Sequence, residues 1–198
     1  MSHYFVNDDK VESKPRKIEC SINGVDFSFE SDNGVFSKNE LDKGSELLIK
    51  TLLPVNLGDN LLDLGCGIGV IGLTLAYFHP GLKVCLADIN NRALGLCSAN
   101  AISLKLSQRV TILRSDIYTE IEGKFTSIVT NPPIRAGKKV TYEFYKGALS
   151  HLIDGGSLYI VIRKQQGALS VKSYLEELFG NVIVLAREKG YYILKTTK

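Results

Sequence analysis

Residues 60–73 read "NLLDLGCGIGVIGL", an apolar stretch with a glycine at every second position from Gly65 to Gly69. The succession predicts a buried strand, a tight turn and the first residues of a helix. With no side chains at Gly65, Gly67 and Gly69, a ligand can press against backbone N–H groups at a helix N-terminus. Two registers fit these glycines. Gly67-Ile68-Gly69-Val70-Ile71-Gly72 satisfies G-x-G-x-x-G, the fingerprint of dinucleotide sites. Counted from Asp63, the same residues read D-x-G-x-G-x-G. The first register makes Asp63 and Gly65 the end of a fully buried central strand, an awkward place for both.

From this unit outward, strands and helices alternate. Strands are expected near 60–64, 83–87, 109–113, 126–130, 156–163, 181–187 and 190–196, with helices near 70–78, 91–103, 141–153 and 168–178. Such repetition means a mostly parallel sheet with helices on both faces. Only a turn around Glu188-Lys189-Gly190 separates the last two strands. It is too short for a crossover, so the last strand runs antiparallel. The fold class is α/β with a seven-stranded sheet. Upstream, "IECSI" and "VDFSF" flank Asn23-Gly24, a pair favoured in type I′ turns, and predict an N-terminal β-hairpin outside the main pattern. A helix follows from about Ser45, with Ser45 as its cap and Pro54 closing it. Residues 1–44, the hairpin and a loop, and residues 45–198, the core, are read as one domain.

The 198 residues, 44% hydrophobic and 23% charged, suffice for one substantial core. Met1–Lys10 is polar and lacks the basic and apolar regions of a signal peptide. The run "VIGLTLAYF" stops at His79-Pro80, well short of the ~18 residues a membrane span needs. A cytoplasmic protein is expected, with no membrane partner. Cys20, Cys66, Cys85 and Cys97 form no C-x-x-C pair, which argues against a zinc site or a disulfide framework and for buried, reduced thiols. The net charge of +3 is unevenly placed. Between Asn131 and Lys172, Arg135, Lys138, Lys139, Lys146, Arg163, Lys164 and Lys172 are opposed only by Glu143 and Asp154. This basic segment is either a solvated face or a surface for phosphates.

It begins at a loop. In "FTSIVTNPPIRAGKK", residues 125–139, an apolar strand runs into two consecutive prolines, which have no N–H to give a sheet. A residue before proline is held extended, so Asn131-Pro132-Pro133 becomes a stiff platform at a strand end. The Asn131 side-chain oxygen and the Pro132 backbone oxygen are two acceptors, suited to the two hydrogens of a planar –NH2 group. Hydrogen bonds to both would orient such an amine and stabilise positive charge developing on its nitrogen. Asp88 in "VCLADIN" and Asp116 in "LRSDIY" also follow strands. Together with Asp63 they put three carboxylates at the ends of three successive strands beside a glycine loop, where open α/β sheets bind ligands.

The D-x-G-x-G-x-G register resembles the loop of class I S-adenosylmethionine (AdoMet) methyltransferases, and so implies their Rossmann-like fold. Asn-Pro-Pro resembles the platform of the amino-directed members. More closely, "SDNGVFSKNELDKGSELL" (31–48) with "NPPIRAGK" (131–138) looks like the small-subunit ribosomal RNA guanine-N2 methyltransferase family in single-domain form. The resemblance runs from about residue 25 to the C-terminus. It implies that Asp63, Gly65, Cys66 and Gly67 line the AdoMet amino-acid end and that Asp88 holds the ribose. Asp116 would meet the adenine amine, with Ile89 and Ile117 on the ring faces. Asn131, Pro132 and Pro133 would carry catalysis, Asn131 bordering the cofactor as well. Gly34, Val35, Phe36 and Ser37 match an upstream loop packed over the cofactor. Ile134 stands where many relatives have an aromatic residue, so an apolar contact with the target base is expected. Arg135, Lys138 and Lys139 are placed to meet phosphates around a flipped base, the partner being ribosomal RNA or a small-subunit particle. Three other readings stay open: a protein glutamine N-methyltransferase, an NAD-dependent oxidoreductase, and a non-catalytic RNA-binding protein.

Overall fold

The computed structural model describes residues 11–198; Met1–Lys10, expected to be a polar start without signal-peptide features, lies outside the described residues. β1 (Arg16–Ile22) and β2 (Val25–Ser31) form the hairpin, and α1 (Lys43–Leu52) follows it. Then come β3 (Asn60–Leu64), α2 (Val70–Phe78), β4 (Lys83–Asp88), α3 (Asn91–Ser103), β5 (Val110–Arg114) and β6 (Phe125–Thr130). α4 (Lys138–His151), β7 (Leu152–Arg163), α5 (Ala168–Phe179), β8 (Ile183–Glu188) and β9 (Tyr191–Thr197) complete the chain. Seven strands pair in the order β5-β4-β3-β6-β7-β9-β8. All pairings are parallel except those of β9, which runs antiparallel to both neighbours.

The strand order places the site. From β3 the chain winds outward through β4 and β5, then crosses back to lay β6 on the other side of β3. The crossovers at this switch point leave in opposite directions, which opens a crevice beyond the carboxyl ends of β3 and β6. The glycine loop follows β3 and Asn-Pro-Pro follows β6. Side chains alternate between two cores. On β7, Leu158, Ile160 and Ile162 pack with Phe144, Tyr145 and Leu175 of α4 and α5, whereas Tyr159 and Val161 join the core containing Leu48 and Ile49 of α1. Both faces are covered, so the central strands are buried on both sides rather than alternating between buried and exposed.

The hairpin turn has Asn23 at φ 51° and Gly24 at φ 77°, the paired positive angles of a type I′ turn. Phe27 of β2 docks on α2, its ring 5.2 Å from Tyr77 and 6.0 Å from Phe78. Asn100 of α3, fully buried, accepts from Glu30 N at 2.6 Å and donates to Glu30 O at 3.2 Å and Ile68 O at 3.0 Å. One amide thus ties the hairpin to the glycine loop.

Among the boundaries that differ from expectation, three bear on the site and the sheet. α1 starts before Ser45, and its cap is Asp42, whose carboxylate accepts from Ser45 N at 2.8 Å. Gly44 lies in the first turn and the Tyr191 ring packs against it: a Cβ there would sit 2.7 Å from Tyr191 Cε1. α4 starts at Lys138 rather than 141, so Lys138 and Lys139 open a helix instead of ending a loop. β7 begins at Leu152, four residues early, across a register shift between Phe125 and Ser127. All four cysteines are free, Cys66 and Cys97 buried but Cys20 and Cys85 only partly. Among the described residues, no helix is long and apolar enough to cross a membrane, and no three His, Cys, Asp or Glu side chains gather that could hold a metal ion.

Candidate active site

A cavity of about 870 Å³ occupies the crevice. Residues 35–42 wall one side; the ends of β3, β4, β5, β6 and β7, the start of β9 and side chains of the neighbouring helices and β1 supply the rest. The wall is anchored to α3. Asn90 caps that helix by accepting from Ala93 N at 3.1 Å and donates to Gly34 O at 3.0 Å, and Arg92 donates to Asn33 O at 3.0 Å.

In the glycine loop, Gly65, Cys66 and Gly67 line the cavity. Gly67 has φ +56°, and a Cβ added there would meet nothing within 4 Å, so its backbone is exposed to whatever enters. The Cys66 thiol is pushed up well above its ordinary pKa by burial and by the neighbouring Cys97 thiol, and stays protonated. Asp63 departs from expectation. It is not a lining residue: its side chain is fully buried behind the loop, where Oδ2 accepts from Gly72 N at 2.8 Å and Oδ1 has no partner among the described residues. Gly72 is required for this approach, since a Cβ would lie 2.5 Å from Leu86 and 2.9 Å from Asp63 Oδ2.

Burial pushes the Asp63 pKa from 3.8 up to about 7; the Gly72 N–H opposes the rise and the Asp88 charge adds to it. The folded state therefore holds this proton more tightly than the unfolded chain. The resulting stability is full below about pH 4 and is lost as pH rises through about 7, on the order of 4 kcal/mol at the limit. Asp63→Asn, neutral at every pH, should lack this loss. Thermal or urea unfolding of both proteins between pH 4 and 8 checks it; parallel stability profiles would show that Asp63 is ionised throughout.

Asp88 sits at the cavity wall with both oxygens engaged, Oδ2 accepting from Gly67 N at 2.8 Å and Oδ1 from Asn90 N at 2.9 Å. Burial raises its pKa, against hydrogen bonds from Asn90, Gly67 and Ile89. With three backbone N–H groups on it, the carboxylate keeps about one of its four lone-pair sites for a ligand hydroxyl. Ile89 and Ile117 line the cavity as apolar surfaces, and Asp116 is exposed there with a carboxylate that has no protein hydrogen bond among the described residues. Ile117 has φ +53°, a left-handed conformation that is costly for a β-branched residue. Ser115, buried beneath it, holds the strain by donating to Ile117 O at 2.9 Å.

Asn131, at the end of β6, donates from Nδ2 to Asp42 Oδ2 at 3.0 Å and to Ser45 Oγ at 2.9 Å. Both amide hydrogens are committed to α1, and Oδ1 has no partner among the described residues. Pro132, Pro133 and Ile134 line the cavity beside it. The Pro132 oxygen is less free than expected, because it accepts from Ile134 N at 2.9 Å and keeps one lone pair. Of the basic residues, Arg135 reaches the cavity, whereas Lys138 and Lys139 lie outside its lining on the exposed first turn of α4. The helix dipole disfavours cations at that end.

Arg163 and Tyr191 were not in the expected site. Both line the cavity, at the paired ends of β7 and β9, with the guanidinium 4.7 Å from the Tyr191 ring centroid. No carboxylate lies within salt-bridge reach of Arg163 among the described residues. Its position at a strand end was a usable signal, by the rule that selected the acids; Tyr191 joins it only through the antiparallel return of β9.

Gly67, the first glycine of the dinucleotide register, forms the turn with its N–H held by the Asp88 carboxylate, and the loop adds no support to that register. The fold and site instead define a Rossmann-like class I methyltransferase. The methyltransferase small domain family matches residues 26–195, and the chain belongs to it. A Bacillus subtilis (strain 168) protein, the uncharacterized YbxB, is 42% identical over 99% of this chain and 98% of its own. Ribosomal RNA small subunit methyltransferase C of Mannheimia succiniciproducens is 39% identical over 81% of this chain and 47% of its own. The T. thermophilus 16S rRNA N2 methyltransferase RsmC, solved with AdoMet and guanosine, superposes with a TM-score of 0.82 at 28% identity, covering 93% of this chain and 50% of that one. The chain thus spans about half the length of these ribosomal RNA methyltransferases and nearly all of YbxB.

Proposed function

We propose that the chain is an AdoMet-dependent N-methyltransferase acting on an exocyclic amine, guanine N2 of small-subunit ribosomal RNA. The observation that carries this reading is the Asn131 amide: with both hydrogens engaged, it offers the cavity an acceptor and no donor. An acceptor pair made of Oδ1 and the remaining lone pair of Pro132 O suits the two hydrogens of an –NH2 group. The similarity to RsmC, whose structure holds AdoMet and guanosine, supports guanine as the base.

The residues present suit AdoMet. Asp88 would accept a ribose hydroxyl, and the unpartnered Asp116 carboxylate the adenine amine. Ile89 and Ile117 would cover the ring, with Gly65, Cys66 and Gly67 at the amino-acid end. When bound, AdoMet supplies a methyl group activated by a sulfonium. Asn131 and Pro132 would orient the amine and stabilise its developing positive charge, so no strong base is needed beforehand. Ile134 would give the base an apolar contact. Arg135, Lys138, Lys139 and Arg163 surround this end with unbalanced positive charge, as an RNA backbone requires.

Incubation with radiolabelled AdoMet and, separately, total RNA, small-subunit particles and protein extract tests the reading. Digestion of labelled RNA should give N2-methylguanosine. Label in protein glutamine, or on another base, would overturn the assignment. Removing the charges of Arg135, Lys138 and Lys139 should lower the salt slope of RNA affinity by about 1 for each phosphate no longer neutralised and leave AdoMet affinity unchanged. An unchanged slope, measured by titration at several salt concentrations, would make these residues a solvated face.

A further inference from the structure

We propose that Asp42 is a positioning residue for methyl transfer: with Ser45, it fixes the Asn131 amide so that only Oδ1 faces the acceptor amine, and it draws electron density onto that oxygen. The inference rests on the N-methyltransferase reading above and names a group that supports the platform from outside it. Asp42 Oδ2 accepts twice, from Ser45 N at 2.8 Å and from Asn131 Nδ2 at 3.0 Å. A carboxylate only accepts, so the amide can present nothing but its nitrogen to Asp42. Ser45 Oγ, almost fully buried, takes the second amide hydrogen at 2.9 Å. The orientation of Oδ1 is therefore set by α1 and not by the platform. An amide whose N–H is held by a carboxylate is polarised toward its oxygen, and it is the oxygen that must stabilise positive charge on the amine.

A second consequence concerns aspartate at the platform. In this chain Asn131→Asp would set two carboxylates about 3 Å apart, where they cannot both be ionised without repulsion. Asp42→Asn removes one of the two charges, so the repulsion is relieved while the amide oxygen at position 42 keeps the bond from Ser45 N. A residue that merely caps a helix would give no such rescue, since Asn and Asp cap equally well.

The test measures single-turnover methyl transfer with saturating AdoMet, together with AdoMet affinity by calorimetry, for Asp42→Asn, Asn131→Asp and the double variant. Expected are a rate about three- to ten-fold lower for Asp42→Asn and at least about 100-fold lower for Asn131→Asp. The double variant should recover at least about ten-fold over Asn131→Asp, all with AdoMet affinity unchanged. A double variant no faster than Asn131→Asp, or Asp42→Asn at the wild-type rate, overturns the proposal while leaving the methyltransferase reading intact. Slow exchange of the Asn131 side-chain amide protons, lost in Asp42→Ala, reports the held amide without reference to activity. Fast exchange in the wild type would overturn the geometry directly. Absence of transfer by the wild type to any amine would overturn the functional reading and this proposal with it.

Discussion

Asn131→Ala should fold, bind AdoMet normally and transfer the methyl group at least about 100-fold more slowly in a single turnover. The protein survives because Asp42 retains Ser45 N at 2.8 Å, so the cap of α1 does not depend on the platform. Asn131 is only partly buried at the cavity wall, and its truncation opens a space that water can enter rather than a sealed void. The rate falls because the transition state alone carries positive charge on the amine, so the missing acceptor counts there and not in AdoMet binding. A wild-type single-turnover rate would reduce Asn-Pro-Pro to the end of a strand.

Asp88→Ala should weaken AdoMet binding by about 2–4 kcal/mol, roughly 30- to 800-fold. The absent hydrogen bond to the ribose accounts for part of this. The rest comes from the loop, because Gly67 N at 2.8 Å and Asn90 N at 2.9 Å are left without their acceptor. Those orphaned donors also lower the stability of the ligand-free protein. Asp88→Asn can serve one of them and should fall between wild type and alanine in both affinity and melting temperature. Calorimetry with AdoMet and thermal unfolding without it separate the two effects; unchanged affinity in Asp88→Ala would remove Asp88 from the site.

The two effects differ in how openly the sequence announces them. The Asp88 position could be read directly: a run of apolar residues ends at it, and strand ends carry the ligand contacts in a sheet of this kind. Asn131 could be read as far as its exposure at a strand end and its fixed extended backbone. Its committed hydrogens could not, since the partners lie 89 and 86 residues upstream. Ser45 was expected to cap α1 because serine favours that position. Asp42 takes the cap instead, its carboxylate accepting from Ser45 N at 2.8 Å, and Gly44 lies in the first turn against the Tyr191 ring. Asp63 illustrates the opposite error. Its place in the motif suggested a ligand contact, but in β3 its side chain points behind the loop to meet Gly72.

By itself the sequence determined the alternation of strands and helices, the mostly parallel seven-stranded sheet, the hairpin, the glycine loop and the placement of Asp88, Asp116 and Asn131 at strand ends. These follow from signals spread over a few residues: hydrophobic period, glycine where φ is positive, proline where no N–H is available. Only the tertiary structure decided which of those side chains remain uncommitted. It buried Asp63, engaged the Pro132 oxygen with Ile134, set Arg163 on the Tyr191 ring and held the Asn131 nitrogen on Asp42 and Ser45, leaving its oxygen without a partner among the described residues. The physical reason is that a lone pair or a hydrogen can be used once, and its user is whichever group packing brings within 3 Å.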